Sequence, residues 1–146
     1  MNWYWYLIIA MVVVIAVVIT VVAHFNVSIK ASKKKECERM FHEINEHRKK
    51  VTMSAEAEHV VNVVINKLEL AYPEAGYKDA LSYIHMAVKN EILKMKKRDC
   101  ERYLRWRECS QEELIKSKKS LYMYCEEKLE MELRWLISFI KNELNR

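Results

Sequence analysis

Glu56-Ala57-Glu58-His59 sets a carboxylate and an imidazole at E-x-x-H spacing. On a helix, residues three apart share a face, so Glu56 and His59 could ligate one ion. A carboxylate-bridged di-metal centre in a helical bundle needs two such motifs and further acids on other helices. No second E-x-x-H occurs. Glu43 with His47, and Glu38 with His42, stand four apart, which in a Glu-rich helix reads as surface pairing. The ordinary reading of all three pairs is therefore solvated, and no metal ligand is assigned.

Four cysteines, Cys37, Cys100, Cys109 and Cys125, include no C-x-x-C pair. Zinc sites usually show at least one close ligand pair, so these residues read as reduced thiols packed in or near a core. Serine, histidine and acidic residues are present, but no local spacing organises a nucleophile, a base and an orienting acid. With one glycine in the chain there is no Gly-rich loop to cradle phosphate or an oxyanion. No catalytic, cofactor-binding or metal residue is predicted, and a metal-dependent enzyme ranks last among the readings.

Residues 94–107, KMKKRDCERYLRWR, carry the most suggestive chemistry. Lys94, Lys96, Lys97, Arg98, Arg102, Arg105 and Arg107 could bind phosphate groups, and Trp106 and Tyr103 supply aromatic faces for stacking. Asp99, Glu101 and Glu108 dilute the charge. An ordinary solvated helix surface comes first, an anionic lipid headgroup second and nucleic acid third, the last being unlikely.

These residues must be positioned by elements, and composition says which kind. The chain has 146 residues with one Gly (Gly76) and one Pro (Pro73). An all-β domain needs turn residues every ~8–12 positions, so the chain reads as all-α. Every Lys, Arg, Asp and Glu lies from Lys30 onward, so the net charge of +5 belongs to the second part of the chain.

Residues Leu7 to Ala23, LIIAMVVVIAVVITVVA, are apolar except for Thr20. With their apolar flanks they approach the ~20 residues that cross a ~30 Å hydrocarbon core as a helix. Thr20 can bond its own backbone, and Ala16-x-x-x-Thr20 gives a weak small-residue spacing for helix pairing. Trp3, Tyr4, Trp5 and Tyr6 read as an interfacial aromatic belt, and Lys30, Lys33, Lys34 and Lys35 as the basic flank on the other side. The positive-inside rule then predicts a single-pass protein with its N-terminus outside and its C-terminal domain cytoplasmic. A cleaved signal peptide is the rival, but no Lys or Arg precedes the apolar run as an n-region would require. Asn26-Val27-Ser28 fits a glycosylation sequon but abuts the membrane and faces the cytoplasm in this orientation.

The expected division is residues 1–29 as anchor, 30–35 as basic juxtamembrane segment and 36–146 as helical domain. In that domain apolar spacing predicts three long helices. The first runs from Ser32 to Ala71, with a possible break at Val51–Ser54 and Ser54 as an N-cap. Tyr72-Pro73-Glu74-Ala75-Gly76 marks a turn. The second helix runs from Tyr77 to Arg107. A capping box at Ser110-Gln111-Glu112-Glu113 opens the third, Gln111 to Asn145. Its coiled-coil-like stripe includes Leu121, Cys125, Leu129, Leu136 and Ile140 and is read as a possible partner-binding face. An up-down-up antiparallel bundle follows.

The function expected from this architecture is non-enzymatic: a membrane-tethered scaffold, or an accessory subunit of a membrane complex, binding a protein partner or itself through helical faces. The alternative is a membrane-surface binder using the basic helix.

Overall fold

The computed structural model describes residues 2–71, 78–109 and 118–146. The Tyr72–Gly76 turn and the Ser110–Glu113 capping box lie outside them. Six helices are described: α1 (Trp3–Lys50), α2 (Ala55–Ala71), α3 (Ala80–Lys94), α4 (Lys97–Trp106), α5 (Lys118–Glu132) and α6 (Arg134–Leu144). No strand occurs among the described residues, and the chain is all-α. It divides into two compact units, Met1–Arg39 and Met40–Arg146, and α1 contributes to both.

The first unit is helical throughout its described length apart from Asn2. Among the described residues, α1 is the one helix long and apolar enough to cross a membrane. Its apolar side chains from Leu7 to Val22 are all exposed. Thr20 Oγ1 donates to the Ala16 carbonyl at 2.8 Å, so its hydroxyl is satisfied inside the helix.

The second unit is a helical bundle around one apolar core. Near its start α1 buries Met40 and Ile44, four apart on one face. The chain leaves helix after Lys50 and re-enters at Ala55. Ser54 is the N-cap: its Oγ accepts from the Ala57 N–H at 3.2 Å, and its carbonyl accepts from the Glu58 N–H at 3.0 Å. Glu56 and Glu58 stand in the first turn of α2, where the helix dipole favours acids. Val60, Val61, Val64 and Leu68 then bury one face of α2 against α3. On α3 the buried set is Ala80, Ile84, Ala87, Val88 and Ile92. This helix also packs on α5 and α6.

Two of the three expected long helices are interrupted. The predicted second helix breaks at Met95, whose backbone is extended (φ −66°, ψ 133°), and α4 starts afresh with Lys96 as its cap residue. Lys94, Lys97 and Arg98 would otherwise stack within one turn, and like charges three and four apart disfavour a helix. Breaking there lets Asp99 occupy the first turn of α4 and turns Cys100, Tyr103 and Leu104 inward. The third helix is only kinked: the Leu133 N–H still reaches the Leu129 carbonyl, and the Ile137 N–H the Leu133 carbonyl. The first helix is not separate from the anchor, because α1 runs unbroken to Lys50.

The end of α4 is closed by a Schellman turn. The Cys109 N–H bonds the Leu104 carbonyl and the Glu108 N–H bonds the Arg105 carbonyl, each at 3.0 Å. Glu108 occupies the position that glycine usually takes, at φ 56°. A left-handed conformation costs a residue with a Cβ about 1 kcal/mol. Glu108→Gly should therefore raise the unfolding midpoint of the domain in thermal denaturation, by up to about 1 kcal/mol of stability; an unchanged or lower midpoint would show that this turn stores no strain.

Candidate functional site

Helix α4 is where interior and surface chemistry meet. Its inner face is held by a buried carboxylate. Glu132, at the end of α5, is almost wholly removed from solvent. Ser54 Oγ donates to its Oε2 at 2.6 Å, and Tyr103 Oη donates to the same oxygen at 3.1 Å. Arg107 Nε lies 3.3 Å from Oε1, an ion pair whose geometry falls short of a hydrogen bond. An unpaired buried carboxylate is costly, and removing one partner of a buried ion pair typically costs ~3–5 kcal/mol. Two hydroxyls and one guanidinium compensate Glu132, and they tie the start of α2, the inner face of α4 and the turn after α4 to one point.

The environment shows in Tyr103. Burial, with the adjacent Glu132 carboxylate and its hydrogen bond, pushes the phenol well above the usual tyrosine range. Sulfur packs beside it. The Cys100 thiol points at the Met95 sulfur, 3.6 Å away, and the Cys125 thiol points at the Cys100 carbonyl, 3.9 Å away. Hydrogen bonding with Cys100 and burial both push the Cys125 thiol upward, so it stays protonated. None of the four cysteines is in a disulfide; Cys37, Cys100 and Cys125 are buried, and Cys109 is partly so.

The outer face of α4 and its approach are cationic. Lys94, Lys96, Lys97, Arg98, Arg102 and Arg105 are exposed. Arg102 reaches Glu56 on α2 at 3.3 Å. The other five form no ion pair among the described residues. Trp106 is 45% exposed, enough of the ring to meet a partner, and Arg107 lies over it at 5.5 Å. Of the seven cations singled out in the sequence, Arg107 is the one turned to the interior, committed to Glu132.

The α5–α6 stripe is a correction. Leu121, Cys125, Leu129, Leu136 and Ile140 have no solvent exposure and belong to the bundle's own core. A domain of this size needs its longest apolar stripe for itself, so that stripe offers no face to a partner. The residues expected to flank a membrane, Trp3, Tyr4, Trp5, Tyr6, Lys30, Lys33, Lys34 and Lys35, are all exposed on α1. His59 does not join Glu56: it pairs with Glu91 on α3 at 3.5 Å, while Glu56 holds Arg102. Glu132 and Tyr103 were not legible as a pair, because their partnership spans two helices and no local spacing encodes it. Ser54 was legible only as a cap.

No family model matches the chain, and no curated protein or solved structure matches it either.

The raised ionisation of Tyr103 has a defined consequence. A folded-state value above the unfolded one contributes stability that is complete below pH ~10 and is lost as pH rises beyond it. Melting temperatures measured from pH 9 to 11 should fall with pH, and the fall should be shallower in Tyr103→Phe by the contribution of about one proton. Identical slopes in the two proteins would refute the assignment.

Proposed function

We propose that the chain is a single-pass, membrane-tethered helical protein without catalytic activity, whose exposed α4 face binds anionic lipid headgroups. The observation that carries this reading is the set of five exposed cations, Lys94, Lys96, Lys97, Arg98 and Arg105, that form no ion pair among the described residues. Each basic residue near an anionic leaflet contributes about 1 kcal/mol, and a tether raises the local concentration of that leaflet. Trp106 supports the same reading, since indole favours the membrane–water interface. Lys30, Lys33, Lys34 and Lys35 add a second basic patch on α1. On the positive-inside rule we read the N-terminus as outside and the helical domain as cytoplasmic, facing the leaflet that carries most anionic lipid.

A protein partner is the second reading, as expected of a scaffold or accessory subunit. With the α5–α6 stripe buried, it would use the exposed apolar residues Met86 and Leu93 on α3 and Met123 and Met131 on α5.

Hydrogen exchange on the full chain in nanodiscs distinguishes the two. Adding phosphatidylserine to phosphatidylcholine discs should slow amide exchange across residues 94–107. High salt should reverse the effect, and the combined substitution Lys96→Glu, Lys97→Glu, Arg98→Glu and Arg105→Glu should abolish it. Equal exchange in both discs would overturn the lipid reading. Topology is tested separately with Ser138→Cys, an exposed position on α6. An impermeant maleimide should label it only after cells are permeabilised; labelling of intact cells would reverse the orientation.

A further inference from the structure

Away from α4, a different chemistry gathers between α3 and α5. His85 on α3 and Glu126 and Glu130 on α5 each present a ligand atom, and these three atoms lie within 4.8 Å of one another. His85 Nδ1 and Glu130 Oε1 are 3.4 Å apart. Glu126 and Glu130, four residues apart, share a face of α5. We propose that His85, Glu126 and Glu130 form a binding site for a divalent transition-metal ion, zinc in the first instance, that clamps α3 to α5.

Three observations carry this. The first is distance. Tetrahedral zinc with bonds of ~2.0–2.1 Å sets its ligands roughly 3.3–3.4 Å apart, and the His85–Glu130 pair already stands at that edge length. The second is charge. The three residues line an open cleft of about 480 Å³, with Glu127, Ser120, Tyr124 and Met123. Its described lining holds three carboxylates and neither Lys nor Arg, in a chain whose net charge is +5. Glu127 and Glu130 also line a neighbouring cleft with Arg134 and Lys141, but on the His85 side three carboxylates share one cleft, a field that favours a bound cation. The third is ligand type. An imidazole beside two carboxylates suits zinc and its neighbours, whereas magnesium and calcium prefer all-oxygen shells. Three protein ligands leave a fourth position for water, with room for it in the cleft.

The sequence alone assigns no metal ligand here. Glu126 and Glu130 share a helix face in any helical reading, but the imidazole comes from another helix and only the packing of α3 on α5 supplies it. The site also stands apart from E-x-x-H at Glu56–His59, whose two members are engaged elsewhere.

Zinc titration of the purified full chain by calorimetry tests the proposal. One zinc per chain is expected, with a rise in the thermal midpoint. His85→Ala and Glu130→Gln should each weaken binding by at least about tenfold, since even outer-shell changes cost ~10–100-fold. Both positions are substantially exposed, so the variants should fold, which circular dichroism verifies. X-ray absorption of the zinc-loaded protein should show a shell of nitrogen and oxygen only. Sulfur in that shell would assign the metal to the cysteines and overturn the site. So would wild-type affinity in both variants, an absence of zinc binding, or magnesium binding as tightly as zinc and indifferent to His85→Ala.

Discussion

The bundle depends on one buried charge. Glu132 sits where the N-terminus of α2, the inner face of α4 and the junction of α5 with α6 converge, and it is held by Ser54, Tyr103 and Arg107. A carboxylate removed from water must be compensated almost completely or the fold loses several kcal/mol. That requirement fixes more than the acid itself. Ser54 can donate to Glu132 only while α2 starts where it does, and Arg107 reaches it from the C-cap position of α4. The apolar core is permissive by comparison, since Leu and Val faces tolerate small slides. The polar centre does not, and it gives the helices a definite register.

Helix α4 carries this constraint outward. It is short, and it is anchored by Cys100, Tyr103, Leu104 and the arm of Arg107. With one side locked, its remaining cations are presented as a fixed array. Lys97, Arg98 and Arg105 make no ion pair among the described residues, although Glu101 lies within a helical turn of each, whereas Arg102 is drawn to Glu56. The split between Arg102 and Arg107, both paired, and the five cations that make no ion pair among the described residues arises from packing, because all seven look alike along the chain.

The sequence was legible where the physics is local. The apolar run ending at Ala23, the near absence of Gly and Pro, the cap at Ser54 and the spacing of Val60, Val64 and Leu68 each act within a few residues. They yielded the membrane-length helix, the all-α class and the start of α2. What could not be read was set by partners distant in sequence. Met95 looks like one more apolar helical position, yet there the chain extends so that α4 can turn Tyr103 toward Glu132. Leu121, Leu129 and Leu136 read as an adhesive stripe, but periodicity cannot say whether the surface it meets belongs to the same chain. Glu132 carries no local signal of its burial, since that depends on donors supplied by α2 and α4.

The sulfur packing has a consequence for measurement. Cys100 and Cys125 are sealed in the core with their thiols directed at Met95 and the Cys100 carbonyl. A bulky reagent reaches them only when helices separate, so their alkylation rate reports how often the core opens. Under fast reclosing that rate follows the equilibrium population of open molecules, and under slow reclosing it follows the opening rate itself. The protein thus carries an internal clock for its own unfolding, readable by mass in mixtures where calorimetry is difficult.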